Sequence, residues 1–149
     1  NDIQLIVRFT GMPEEIHKNY DFIHTTNYFT NDDGLVLNLA ATRAVMTKEL
    51  KYVGSRYPIC SLFRIRKFIQ RGWSITAGEI LKIAWDVNKL ELENYTVLKD
   101  QLVGVDAAYF HELLNILKES NRVLDRTYLV ELIERVFDDS EVDTNLILE

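Results

Sequence analysis

The chain has 149 residues, 47% of them apolar and 27% charged, with a net charge of −6. That is enough apolar matter for one domain or two small ones, and it excludes a largely disordered polypeptide. A single cysteine, Cys60, excludes an internal disulfide and suits a reducing compartment, so the cytoplasm is the expected location.

In chain order, Ile3 to Phe9 (I-Q-L-I-V-R-F) is apolar and partly β-branched, which predicts a strand or short extended arm. Asp2 and Arg8 break up this opening stretch, so it is not expected to act as a secretory signal. Pro13 ahead of Glu14 and Glu15 predicts a helix start, because proline fits a first turn and acids face the positive end of the helix dipole. That helix is expected to reach about Ile23. Asn31-Asp32-Asp33-Gly34 predicts a turn. Leu35 to Val53 is helical in composition and Gly54 is expected to stop it. The apolar run from Leu35 to Ala41 is interrupted by Asn38 and is too short to span a bilayer, so no membrane association is expected. Pro58 predicts the start of a basic helix that Gly72 ends.

Thr76-Ala77-Gly78-Glu79 has the spacing of a capping box, and Ile80, Ile83, Ala84 and Val87 follow at i, i+3, i+4, i+7. Glu91 to Leu102 predicts the next helix, with Gly104 closing it. Asp106 caps another, striped by Phe110, Leu113, Leu114 and Leu117. Asp125 or Thr127 opens a last one, striped by Leu129, Leu132, Ile133 and Val136, and the acidic run Asp138 to Asp143 reads as its frayed end. The expected architecture is therefore all-α, a compact bundle of about six to seven helices with a short N-terminal extended arm. Residues 1–75 and 76–149 are expected as its two parts, or as one continuous domain.

Catalytic chemistry is not signalled. The six glycines are scattered singly, so no phosphate loop is formed. His17 and His24, near Glu14 and Asp21, could share a helix face, but they lack the further ligands a structural zinc takes. Asp138, Asp139, Glu141 and Asp143 lack the glycine and spacing of a calcium loop. His111 reads as a rim residue, and Cys60 as a buried thiol rather than a reactive one. Asn94-Tyr95-Thr96 matches a glycosylation sequon but falls inside a predicted helix. No catalytic residue, cofactor or metal is expected, and the chain is not expected to be an enzyme.

Charge is unevenly spread. From Arg43 to Arg71 there are eight basic residues against Glu49 alone, whereas Lys99 to Glu149 holds five basic and twelve acidic residues. The basic helix puts Arg64, Lys67 and Arg71 on one stripe at i, i+3, i+7. Its apolar side is expected to comprise Ile59, Leu62, Phe63, Ile65 and Ile69, which places Arg66 in the middle of that apolar side. A guanidinium there needs a carboxylate from another helix, or its face is an interface, or it snorkels from the core's edge. Lys51-Tyr52, Arg56-Tyr57, Phe63-Arg64, Lys67-Phe68 and Arg71 with Trp73 interleave cations and rings, a pattern that suits phosphate contact with base stacking. Core packing accounts for the same rings.

The stretches E-I-L-K-I-A-W-D-V-N-K-L-E-L-E-N-Y-T-V-L-K (Glu79 to Lys99) and Y-F-H-E-L-L-N-I-L-K-E-S-N-R-V-L-D-R-T-Y-L-V-E-L-I-E-R-V (Tyr109 to Val136) resemble the first two and the fourth and fifth helices of a death effector domain, a six-helix interaction module. The resemblance covers residues 79–137. It implies homotypic helix-bundle association in apoptotic or immune signalling, with no cofactor. It would place the acidic member of the family's surface charge triad on Glu91 and its exposed hydrophobic patch on Val97 and Leu98. The family's Arg-x-Asp-Leu motif should follow the fifth helix. Here the chain reads Arg135-Val136-Phe137-Asp138, with the acid one place late and no leucine after it.

Two functions follow as expectations. One is a non-catalytic protein-binding or adaptor module, self-associating into a homo-oligomer through charged helix faces. Its interface candidates are Arg64, Arg66, Lys67, Arg71, Glu91, Val97, Leu98 and Arg135. The other is a helical nucleic-acid-binding protein, nucleoprotein-like, that uses the basic segment 43–71.

Overall fold

The structure is a computed structural model that describes residues 9–102, 115–119 and 122–145, with side chains described up to Arg135. The chain separates into two compact units, Asn1–Val87 and Asn88–Glu149. It is mostly helical, but not purely so: two small two-stranded sheets among the described residues correct the all-α expectation. Their strands are two or three residues long, too short to leave a period-2 signature in the sequence. The expected strand at Ile3 to Phe9 lies outside the described residues, apart from Phe9.

In the first unit, α1 (Pro13–His17) is one short turn rather than a helix reaching Ile23. The Asn19 amide donates to the carbonyls of Glu15 and Ile16 and so closes the helix end. A 3-10 turn spans Ile23–Thr25. Strands β1 (Tyr28–Thr30) and β2 (Gly34–Val36) pair antiparallel across the expected Asn31–Gly34 turn, with Phe29 opposite Leu35. The helix expected to begin at Leu35 begins four residues later, as α2 (Leu39–Thr47). Asn38 decides this: its side-chain oxygen accepts the N–H groups of Ala40 and Ala41, as an N-cap does. The helix stops short of Gly54 because Lys48 adopts the left-handed conformation (φ 51°), its N–H turned back to Ala44 and Val45.

Strand β3 (Glu49–Leu50) pairs in parallel with β4 (Ser74–Ile75), and α3 (Pro58–Gln70) forms the crossover between them. Pro58 and Gly72 delimit α3 as expected, the glycine with φ 79°. Helix α4 (Ala77–Asn88) follows. The core gathers Phe22, Leu50, Tyr52, Ile65 and Ile83, with Leu62, Phe68, Trp73, Ile75 and Val87 packed around them. Ile83 comes from α4, so the first unit runs to Val87 rather than ending near residue 75.

The second unit contains α5 (Tyr95–Leu102), helical residues 115–119 (α6) and α7 (Arg126–Asn145). Asn94 caps α5 through its side chain, so that helix starts four residues later than the expected Glu91. Asp125 caps α7, accepting the Tyr128 N–H at 2.8 Å. Leu98 and Leu102 of α5 are buried, as are Tyr128, Leu129 and Leu132 of α7. Asp106 and Phe110 to Leu114 lie outside the described residues.

Candidate functional site

Helix α3 carries the most distinctive surface chemistry of the first unit. Its sequence, PICSLFRIRKFIQ, holds Arg64, Arg66 and Lys67 and no acid, and Arg71 stands at its C-cap. Cations near a helix C-terminus are favourable against the negative end of its dipole.

Burial fixes how α3 sits. Pro58, Ser61 and Ile65 are buried and Leu62 and Phe68 pack on the core, so the inward arc is centred near Ser61 and Ile65. Arg66 lies roughly 100° around the helix from Ile65 and is exposed. The expectation that it points into the apolar side is therefore wrong. The wheel misleads because α3 has more apolar residues than its inward arc can use: Ile69 is 52% exposed, and Phe63 is only half-buried. Arg71 is also exposed, and Lys67 is half-buried.

Arg64 is tied inward. Its guanidinium forms an ion pair with Asp21, which is itself buried and also accepts the Ser61 hydroxyl at 3.0 Å. The Asp21 carbonyl receives the Val53 N–H and Lys51 returns its own carbonyl to Ile23, so the segment around Phe22 lies antiparallel to that around Tyr52. One carboxylate thus pins α3 to the segment beneath it.

A second clamp joins α4 to the same segment. The Tyr52 N–H donates to Glu79 at 2.8 Å and the Tyr52 hydroxyl donates to Asp86 at 3.0 Å. Burial, then the bond to Asp86 and its charge, push the Tyr52 phenol far above its ordinary value. For Glu79 burial pulls upward, but the bonds from Lys82 and from the Tyr52 N–H outweigh it and hold the carboxyl below its ordinary value. Glu79 was expected to complete a capping box with Thr76. Its carboxylate serves Tyr52 and Lys82 instead.

His24 was read from sequence as a surface histidine that could share a helix face with His17. The structure puts them on different elements, and His24 sits beside the rings of Phe68 and Trp73, 4.9 and 4.7 Å between centroids. Its Nδ1 is buried and has no hydrogen-bond partner. Burial lowers its pKa, against the opposing pull of Asp21. No group of three or more metal-ligating side chains occurs among the described residues, and no helix there is long and apolar enough to cross a membrane.

In the second unit, Glu91 is exposed, Val97 is half-buried and Leu98 is fully buried. The expected exposed patch on Val97 and Leu98 is thereby corrected: with Leu102 one turn on, Leu98 forms the inward stripe of α5. Arg135 is exposed and lines a cleft of about 390 Å³ with Glu119, Arg122 and Glu131. In that cleft Arg122 donates to Glu131 at 2.8 Å and lies 4.4 Å from the Tyr128 ring centroid.

The interleaved rings of the basic segment divide clearly. Tyr52 is buried, and Phe68 and Trp73 pack against the core. Arg56 lies over Tyr57. The interface candidates divide between the two units: Arg64, Arg66, Lys67 and Arg71 share α3 and its cap, while Glu91, Val97, Leu98 and Arg135 belong to the second. Helix α4, the first helix in the death-effector resemblance, contributes Ile83 and Glu79 to the first unit. No family model, curated protein or solved structure matches the chain.

Proposed function

We propose that this chain is a non-catalytic protein-binding module that associates with copies of itself in the cytoplasm, using the outward side of α3. One observation carries the reading. The acid-free α3 presents Arg66, Lys67 and Arg71 from a unit with eleven basic and nine acidic residues, while the second unit has six basic and fourteen acidic residues. A chain that carries both signs on separate bodies is complementary to itself.

The rings support protein over nucleic acid. Base stacking needs aromatic faces open to solvent, and Tyr52, Phe68 and Trp73 are taken up by the core. The exposed Arg66 and Arg71 favour phosphate contact as a second reading.

Light scattering on a sizing column, with absorbance at two wavelengths, tests both. The expected result is a mass above the single-chain 17.4 kDa at low salt. It should fall toward that value at about 0.5 M salt, where the screening length shrinks to about 4 Å. A single-chain mass at high concentration and low salt would overturn self-association. Co-purifying nucleic acid would move the reading to the second.

A further inference from the structure

Open apolar surface gathers at one place in the first unit. Strands β1 and β2 bring Phe29 and Leu35 directly opposite each other, and both side chains are exposed. Tyr28, Thr30, Gly34 and Val36, which alternate with them, are half-buried, so Phe29 and Leu35 share the outward face of the hairpin. Leu37 follows two residues after Leu35 and is exposed as well, and only the N-cap Asn38 separates it from Leu39, the first residue of α2. On α2, Ala41 and Ala44 are buried, while Leu39, Arg43 and Met46 stand in one outward arc at i, i+4, i+7. Phe29, Leu35, Leu37, Leu39 and Met46 are all between 59% and 85% exposed.

We infer that this face docks on the same face of a second copy, the hairpin and α2 of one chain against those of the other. The inference goes beyond the α3 reading, because the contact is apolar and draws on none of that helix's cations. Area argues for a copy. At roughly 140 Å² for a fully open large apolar side chain, these exposures leave about 500 Å² of apolar surface per chain. A stable interface takes about 800 Å² from each partner, somewhat over half of it nonpolar, so the face supplies the apolar share of one. Charge agrees. The exposed Asp32 stands at the hairpin tip and the exposed Arg43 between Leu39 and Met46. Two such faces laid head to tail about a two-fold axis set each Asp32 toward the other copy's Arg43, and the contact closes at two chains. Rising salt then strips the α3 contact first, and the mass falls through two chains on its way to one.

Two variants on separate elements test it. One is Phe29→Thr with Leu35→Thr, which keeps strand preference, and the other is Leu39→Gln with Met46→Gln, which keeps helix preference. Val123→Gln, at an exposed apolar position of the second unit, is the control. Circular dichroism confirms that each is folded. At about 0.5 M salt, where charge contacts are screened, wild type at high concentration should run at twice the single-chain 17.4 kDa in light scattering. Both double variants should run as single chains there, and Val123→Gln as wild type. A single-chain wild type at that salt overturns the hairpin contact, while the low-salt mass decides the α3 reading separately. Double variants that keep the two-chain mass place the contact elsewhere and overturn it too, as does an equal loss in the Val123→Gln control. A single-chain wild type that sediments with phosphatidylcholine vesicles assigns the face to a lipid surface instead of a copy.

Discussion

The backbone N–H of Tyr52 donates to the carboxylate of Glu79 over 2.8 Å, across 27 residues of sequence and inside the molecule. Lys82 closes the other side of that carboxylate. The N-terminal turn of α4 is thereby fastened to the segment that follows β3.

Replacing Glu79 by Gln keeps an acceptor for Tyr52 but loses the charge that Lys82 neutralises. The expected cost at neutral pH is about 1.5–3 kcal/mol, the range for a hydrogen bond to a charged group. The folded carboxyl titrates below its ordinary value of 4.5, so its contribution is fully present above that pH and is lost as pH falls through the lower, folded value. Urea melts at pH 7 and pH 3 check this: the gap between wild type and variant should be smaller at pH 3 than at pH 7. An equal gap at both would show that charge is not what matters at this carboxylate.

Asp21 joins Ser61 and Arg64. Asp21→Asn should cost about 2–3 kcal/mol, because it removes the charge that Arg64 faces and weakens the bond from a fully buried hydroxyl. Ser61→Ala should cost about 1 kcal/mol. The double variant should cost less than the two together, by about 0.5 kcal/mol or more. Strict additivity in a double-mutant cycle would mean that the three groups do not act as one unit.

Burial holds His24 below its ordinary value of 6.5. The unfolded chain therefore takes up its proton first as pH falls, and the folded state loses stability from about 6.5 downward. His24→Phe keeps a ring against Phe68 and Trp73 and removes both the titration and the unpaired Nδ1. Thermal melts from pH 7.5 to 5 should show a shallower fall for the variant than for wild type. Parallel curves would refute the assignment.

Ile83 is fully buried, and Ile80, one turn earlier, is 44% exposed. Ile83→Ala should cost about 2–5 kcal/mol and Ile80→Ala less than about 1 kcal/mol. Arg66→Ala, on the outward side of α3, should lie within about 0.5 kcal/mol of wild type. A large loss at Arg66 would return that side chain to the interior.

The sequence predicted features that local chemistry decides. Pro58 and Gly72 marked α3, Asp125 was one of the two residues expected to open α7, and the Asn31–Gly34 turn stands where its residues put it. It did not reveal which side of an over-apolar helix faces inward. On α4 the stripe Ile80, Ile83, Ala84, Val87 matched a helical period, yet Ile83 is buried while Ile80, Leu81 and Trp85 are exposed. A period identifies a helix; the orientation is set by partners such as Phe22 and Leu50 that lie far away in the chain. The Asn38 cap was visible as a residue type and was read only as an interruption. The Asp21–Arg64 pair spans 43 residues and left no local sign.

The parallel β3–β4 ladder and the position of Ile83 also bear on how the chain matures during synthesis. A ladder between residues 49–50 and 74–75 cannot form until α3 has been made, and the cavity that Ile83 fills stays open until α4 has left the ribosome. The cluster of Phe22, Leu50, Tyr52 and Ile65 stays incomplete until α4 has emerged. A chain terminated near residue 75 would therefore be a substrate for chaperones or proteases rather than a miniature of the first unit.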